Sequence, residues 1–224
     1  MITIQEWNKF NNLDKTIWLE RNHPAGCIGS PRKLVRGVGV NDASYYTSHR
    51  LIGGKVICPA YSSWICMLKR AYSESFSKSH PTYCGVSVCR EWLSFTSFRK
   101  WWLINHIDGF DLDKDILSDS REYSPSSCIF IPNWLNKFNT DRRNHRGEYP
   151  IGVTRHNQCS RFVARCKNAL TGKDDHLGLF TTPEAAHLAW LKRKLELALE
   201  LKPKMDEIDM RIYPRVVEII NSAK

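Results

Sequence analysis

The chain has 224 residues and carries 33 Lys and Arg against 23 Asp and Glu, a formal net charge of +10. That length holds one large or two small domains, each able to bury a core, and the cationic surplus fits a polyanion better than an acidic-patch partner. No apolar run reaches the roughly 20 residues that a bilayer span requires. The opening Met-Ile-Thr-Ile-Gln-Glu-Trp has neither the cationic start nor the apolar core of a signal peptide, which sets the expectation of a soluble, cytoplasmic protein. In that compartment the eight cysteines are expected as reduced thiols, and no pair shows Cys-x-x-Cys spacing. Zinc held through Cys58, Cys89 and Cys128 and plain burial of those thiols are both open readings.

Residues 4–21 read as one helix, followed by a Gly/Pro/Ser/Arg loop or arm over 24–38. The spacing of Trp64, Met67, Leu68 and Ala71 predicts a second helix within 59–72. From His80 to Trp92 the pattern is a turn and a short strand entering another helix. That helix places Trp92, Phe95, Phe98, Trp101 and Trp102 largely on one side, a stripe better suited to a core than to stacking on bases. Over 111–117 the alternation predicts a strand with Asp111, Asp113 and Asp115 on one face and Leu112 and Lys114 on the other. A second strand ends near Pro132, and Asn133 to Phe138 opens a short helix. The polar run 139–148 has no hydrophobic period and reads as a linker. Beyond it, three β-type runs over 149–182 lead into an amphipathic helix from Pro183, and the tail from Pro203 reads as one more amphipathic helix.

Charge is unevenly distributed. Residues 108–122 hold six acids against two bases, whereas 137–175 hold nine bases against four acids. Closely set carboxylates in a cationic chain suit a hard divalent cation, which can activate water against a phosphodiester. A solvated acidic turn near Ser118 to Arg121 is the competing reading. In the downstream region arginines alternate with apolar residues, so a small sheet can show a cationic face while a helix covers the other. Phosphate neutralisation by such a face supplies affinity, and its side chains can reach base edges. Phe162, Phe180, Ala186, Ala189 and Trp190 are the expected core of this small domain, and His187 is expected at its surface.

Several phrases recur in order: Cys58-Pro, Trp64-x-x-Met-x-x-Arg70-x-Tyr72, Pro81-Thr-Tyr-x-Gly-Val-x-Val-Cys-x-Glu-Trp92, Leu112-Asp-Lys-Asp-Ile-Leu117, and Tyr123-Ser-Pro-x-x-Cys128-x-Phe-x-Pro132. Together they resemble the HNH-type homing endonucleases of bacteriophages and prophages. Residues 149–190 resemble the Apetala/ethylene-response-factor DNA-binding domain that often accompanies them. The resemblance implies an α+β chain: an N-terminal helix and arm (1–37), a ββα-metal nuclease domain (38–138), a basic linker (139–148), and a three-stranded sheet packed on a helix with a C-terminal helix (149–224). It implies hydrolysis of double-stranded DNA with Mg²⁺ or a similar divalent cation, in the host cytoplasm, with no membrane and no small-molecule cofactor. Asp113 and Asn136 then fall at metal-ligand positions, with Asp115 auxiliary. Lys114 stands where such cores place a histidine general base. An ordinary lysine is protonated at neutral pH and cannot take a proton from water, so Lys114 is expected to contact the scissile phosphate. His80 is a possible base from outside the motif, and Asn105-His106-Ile-Asp-Gly109 offers a rival register through His106. Arg142 and Arg143 of the linker, with Arg155, Arg161, Arg165 and Lys167 of the sheet, are the expected DNA contacts. The alternative is a catalytically inactive DNA-binding regulator on the same scaffold. An RNA-binding accessory protein fits the charge but not the sheet resemblance.

Overall fold

The computed structural model describes residues 2–25, 33–139 and 148–223. The chain is mixed α+β and divides into two compact units, Met1–Phe130 and Ile131–Lys224.

In the first unit the single helix expected over 4–21 is two, α1 (Ile4–Lys9) and α2 (Asn12–Asn22). The break is written in the caps. Phe10 leaves α1 in extended conformation, and Asn11 begins α2 by accepting the Asp14 N–H at 2.7 Å. A hairpin of β1 (Ser48–Leu51) and β2 (Gly54–Ile57) precedes α3 (Pro59–Tyr72), whose proline occupies the first turn, where its missing N–H costs no helical bond. The short α4 (Glu74–Ser79) and a 3-10 turn at Pro81–Tyr83 lead to β3 (Ser87–Val88). Next comes α5 (Phe95–Asn105), capped by Ser94 Oγ on the Ser97 N–H. The aromatic stripe is core, as its spacing indicates: Trp64, Phe95, Phe98 and Trp102 are fully buried, and Trp92 nearly so. The buried indole Nε1–H of Trp64 donates to the Trp92 carbonyl at 2.7 Å, and that of Trp102 to Ser63 Oγ at 3.2 Å. Both of these fully buried rings therefore keep their indole donors satisfied.

The acidic stretch follows as β4 (Phe110–Asp113), then β5 (Glu122–Tyr123), which pairs in parallel with β3, and β6 (Ile129–Pro132), which pairs with β4. The strand expected over 111–117 stops at Asp113. The three aspartates consequently do not share one strand face: Lys114 turns inward, and Asp115 stays exposed.

The second unit begins with α6 (Asn133–Asn139). An antiparallel sheet in the order β7 (Val153–Arg155), β8 (Phe162–Lys167), β9 (Asp174–Phe180) precedes α7 (Pro183–Asp206) and α8 (Ile212–Ser222). The sheet's inner face, with Val153 and Ala164, packs on Ala186 of α7, joined by Phe162, Phe180 and Ala189. Small residues bring helix and sheet close. Gly152, at φ +81°, lies so near the Trp190 indole that a β-carbon there would overlap the ring. The tail corrects the expected boundary, because α7 runs through Pro203 and the next helix begins only at Ile212. Buried Leu201 and Met205 flank the proline, and their burial with Ile212, Val216 and Ile220 of α8 outweighs one missing helical bond.

One half-buried cation in this unit has no carboxylate beside it among the described residues. Lys194 of α7 donates from Nζ to the Phe138 carbonyl at 2.7 Å and lies 3.6 Å from that residue's ring centroid. Burial drives its pKa from 10.5 down to about 8. The unfolded chain therefore holds more protons between those values, and stability rises with pH across that window. The cost of the half-buried ammonium is full below pH 8, on the order of 3 kcal/mol. Urea unfolding of the wild type and Lys194→Met is expected to show the wild type gaining up to about 3 kcal/mol on the variant from pH 8 to 10.5. A difference independent of pH would contradict a half-buried, charged Lys194.

Candidate nucleic-acid interface and the Asp113 cluster

The register of the sheet sorts its side chains. Val153, Ala164 and Gly178 are cross-strand neighbours on the inner face, while Thr154, Val163 and Leu179 align on the outer one. Past Ala164 the pairing shifts, and Leu177 is the extra residue on β9. The adjacent Gly178 adopts φ +120°, which a side chain would resist. Beyond the bulge Arg165 opposes His176 and Lys167 opposes Asp174, again on the outer face, while Cys166 and Asp175 point inward. Asp175 is used there by Arg193 of α7, Nε to Oδ2 at 2.9 Å.

A cavity of about 440 Å³ lies at the loop end of the sheet, lined by Thr154, Val163 and Arg165 of the outer face, by Arg155, which the register sets opposite the inward Phe162, and by His156, Asn157 and Gln158. Its lining offers two guanidiniums, an imidazole and two carboxamides, and no carboxylate. The loop from β7 to β8 is tied across its base, with the His156 N–H donating to the Arg161 carbonyl at 2.9 Å. Within the loop, His156 Nδ1 accepts the Gln158 N–H at 3.2 Å and has Cys159 Sγ at 3.3 Å. Arg155, Arg161 and Arg165 are exposed, and among the described residues none of the three forms an ion pair with a carboxylate. Lys167 does have a carboxylate nearby, Asp174 at 3.6 Å, but both are exposed and the attraction is screened. Arg142 and Arg143 lie outside the described residues. Sequence reasoning missed Thr154, His156, Asn157 and Gln158. Their signal was the polar hairpin loop between two alternating runs. His187, expected as a surface or cap-side residue, is half-buried near the start of α7, with Nδ1 3.0 Å from the Ile151 carbonyl and its ring stacked on Trp190.

In the first unit, Asp113 ends β4 with its carboxylate turned onto its own chain. Oδ1 accepts the Asp115 N–H at 2.9 Å and the Ile116 N–H at 2.8 Å. Burial pushes the Asp113 carboxyl pKa up, against the pull of those two bonds. Lys114, only 6% exposed, pairs with Asp115 and lies 5.8 Å from the Tyr123 ring centroid. Arg70 braces the strand by donating to the Leu112 carbonyl at 3.2 Å, and its charge acts on the nearby Tyr123 phenol. Burial raises that phenol, and it drives the nearby Cys128 thiol up to about 12.

Asn136 is half-buried on α6. His80 is exposed, stacks on Phe76 at 4.1 Å, and places Nδ1 by Ser79 Oγ and the Phe76 carbonyl. His106, the rival, is buried at the end of α5, stacked on Trp102 with Nε2 2.9 Å from Asp108 Oδ1. Burial holds its pKa below the ordinary histidine value despite that carboxylate. Cys58 packs against the Tyr45 hydroxyl at 3.3 Å, Cys89 is half-buried, and Cys128 lies by Ser127. Among the described residues no three His, Cys, Asp or Glu side chains gather as a metal-holding group. At Asp113 one carboxylate oxygen, Oδ1, serves two backbone N–H groups, and the buried Lys114 sits next along the chain. No family model, characterised protein or solved structure matches the chain.

These contacts define Asp113 as an acceptor that closes a turn. Asparagine keeps an acceptor oxygen at that position and alanine does not. Chemical unfolding at pH 7 should therefore find Asp113→Asn within about 0.5 kcal/mol of the wild type or slightly above it, and Asp113→Ala about 1–2 kcal/mol below. Equal losses in the two variants would exclude this role.

Proposed function

We propose that the chain is a double-stranded DNA-binding protein whose contact surface is the outer face of the β7–β9 sheet. One observation carries the reading: a carboxylate-free polar cavity, lined by the outward Thr154, Val163 and Arg165 and by Arg155 at the strand end, adjoins the sheet face opposite the one α7 covers. A sheet so covered can lie along a groove. Its guanidiniums neutralise phosphates or reach guanine edges, and the Asn157 and Gln158 carboxamides can pair with adenine. The net charge of +10 adds long-range attraction to the same partner.

The order β4, β5, β6, α6 along the chain, with β4 paired to β6, is compatible with the ββα nuclease core named by the resemblance. Of the two forms of that reading, we favour the binder without hydrolysis. The support is local chemistry. Asp113 spends one carboxylate oxygen on two backbone N–H groups, and Lys114 is committed to Asp115, which leaves this pair poorly placed to serve a phosphodiester. The scaffold would then act by occupying its site.

Gel-shift titrations of a random-sequence duplex, with Arg155→Gln and Arg165→Gln beside the wild type, test the surface. Each variant should weaken binding about three- to tenfold at low salt and reduce the slope of log affinity against log salt by roughly one. Supercoiled plasmid incubated with the wild type and Mg²⁺ or Mn²⁺ should stay intact while it is retarded. Unchanged affinity and slope in both variants would remove the sheet from the interface, and metal-dependent nicking abolished by Asp113→Ala would restore the nuclease.

A further inference from the structure

A second carboxylate-free cavity lies in the first unit and has no part in the sheet surface. Its volume is about 500 Å³, and Asn22, His23, Pro24, Tyr46, Ser48, His49 and Arg50 line it. The two imidazoles stack face to face, centroids 3.6 Å apart and planes 21° from parallel, and Trp18 meets the edge of the His23 ring at 5.0 Å. The backbone fixes this arrangement. The His23 N–H closes the end of α2 on the Leu19 carbonyl, and its own carbonyl accepts the Tyr46 N–H at 3.0 Å. His49 and Arg50 are carried by the β1–β2 hairpin, where Lys55 is the cross-strand neighbour of Arg50. Tyr46 stands 57% exposed at the cavity.

Among the described residues no carboxylate forms an ion pair with Arg50 or Lys55. Burial and the charge of His49 hold the His23 imidazole pKa below its ordinary value, and no carboxylate acts to raise it. Nε2 of His23 is buried without a hydrogen-bond partner. Two imidazoles stacked this closely repel one another once both are protonated, although the carbonyl end of α2 favours a proton on His23. A dianion over the ring pair, with Arg50 as the fixed charge, would relieve the repulsion and draw a proton in. Hydroxyls from Tyr46 and Ser48 and the Asn22 carboxamide are available as neutral donors around it.

We propose that this cavity is a phosphate-binding site in which Arg50 and the His23–His49 pair hold the anion and take up a proton as it binds. The phosphate has two possible sources, a free phosphate group and a backbone phosphate of DNA, which share this chemistry. The proposal stands independently of the sheet reading.

Histidine side-chain NMR on the full chain tests it, with inorganic phosphate, sulfate or a duplex titrated against chloride of equal ionic strength. Sulfate keeps its charge over the pH range, so its arm isolates protein protonation. The expected result is saturable movement of the His23 and His49 resonances with phosphate and sulfate. Sulfate affinity should rise several-fold per pH unit as pH falls and the anion draws a proton in, and at least tenfold should be lost in Arg50→Gln. Arg50 is exposed, so that variant should retain the wild-type dispersion elsewhere in the spectrum. Movement only with duplex, again dependent on Arg50, would assign the site to the DNA backbone. Resonances that stay still with all three, or move equally in Arg50→Gln, would overturn the proposal. The phosphate and sulfate arms contain no DNA, so failure of the sheet reading and failure of this site remain separate results.

Discussion

The close approach of α7 to the sheet governs the second unit. Gly152, Ala164 and Ala186 contribute almost no side chain at the contact, and Trp190 fills the space they leave. A three-stranded sheet has too little area to hide both faces, so one must be sealed by a helix for the other to face water. With the seal in place, alternation along β8 does the rest: Ala164 and Cys166 go inward, Arg165 and Lys167 outward. The bulge at Leu177 sends that residue to the core without disturbing the outward Arg165–His176 pair. The exposed arginines are thus a consequence of how the inner face packs.

The first unit meets a different constraint, the placement of cations inside an aromatic core. Arg99 answers it with Glu20, 2.6 Å away, Arg70 with the Leu112 carbonyl near the Tyr123 phenol, and Lys114 with Asp115. Each pairing restrains a neighbouring element, and breaking one would leave a buried charge unmet. Lys114 illustrates the consequence for chemistry. A side chain committed to a salt bridge inside the fold organises the end of β4. A catalytic base would have to be unprotonated and open to water. Lys194 in the second unit has no such carboxylate among the described residues and relies on a carbonyl and a ring, and there the cost of burial emerges as a depressed pKa.

Much of the architecture was legible because it rests on strong periodic signals. The stripe of Trp92, Phe95, Phe98 and Trp102 announced a core helix, and the alternating arginines announced a sheet with one cationic face. Features set by a few local hydrogen bonds were not legible. The break between α1 and α2 depends on which way Asn11 directs its side chain. The end of β4 at Asp113 depends on two backbone N–H groups that choose the carboxylate over a strand partner. Pro203 looked like a helix start because proline favours the first turn, and only the burial of Leu201 and Met205 explains why α7 continues through it. Motif order placed Asp113 and Asn136 at ligand positions, yet order along a chain does not report how a carboxylate is spent. The His23–His49 stack joins residues distant in sequence, so no local pattern announced it.

The central claim is that DNA lies on the outer face of the β7–β9 sheet. Backbone amide NMR of the ¹⁵N-labelled chain, titrated with a short duplex, reads that face directly. The account predicts the largest shifts at Thr154, Val163, Arg165, Lys167 and His176 and in the His156–Gln158 loop, with Ala186, Ala189 and Trp190 on the covered side little changed. Shifts concentrated on α7 or α8, with the sheet amides unmoved, would contradict it.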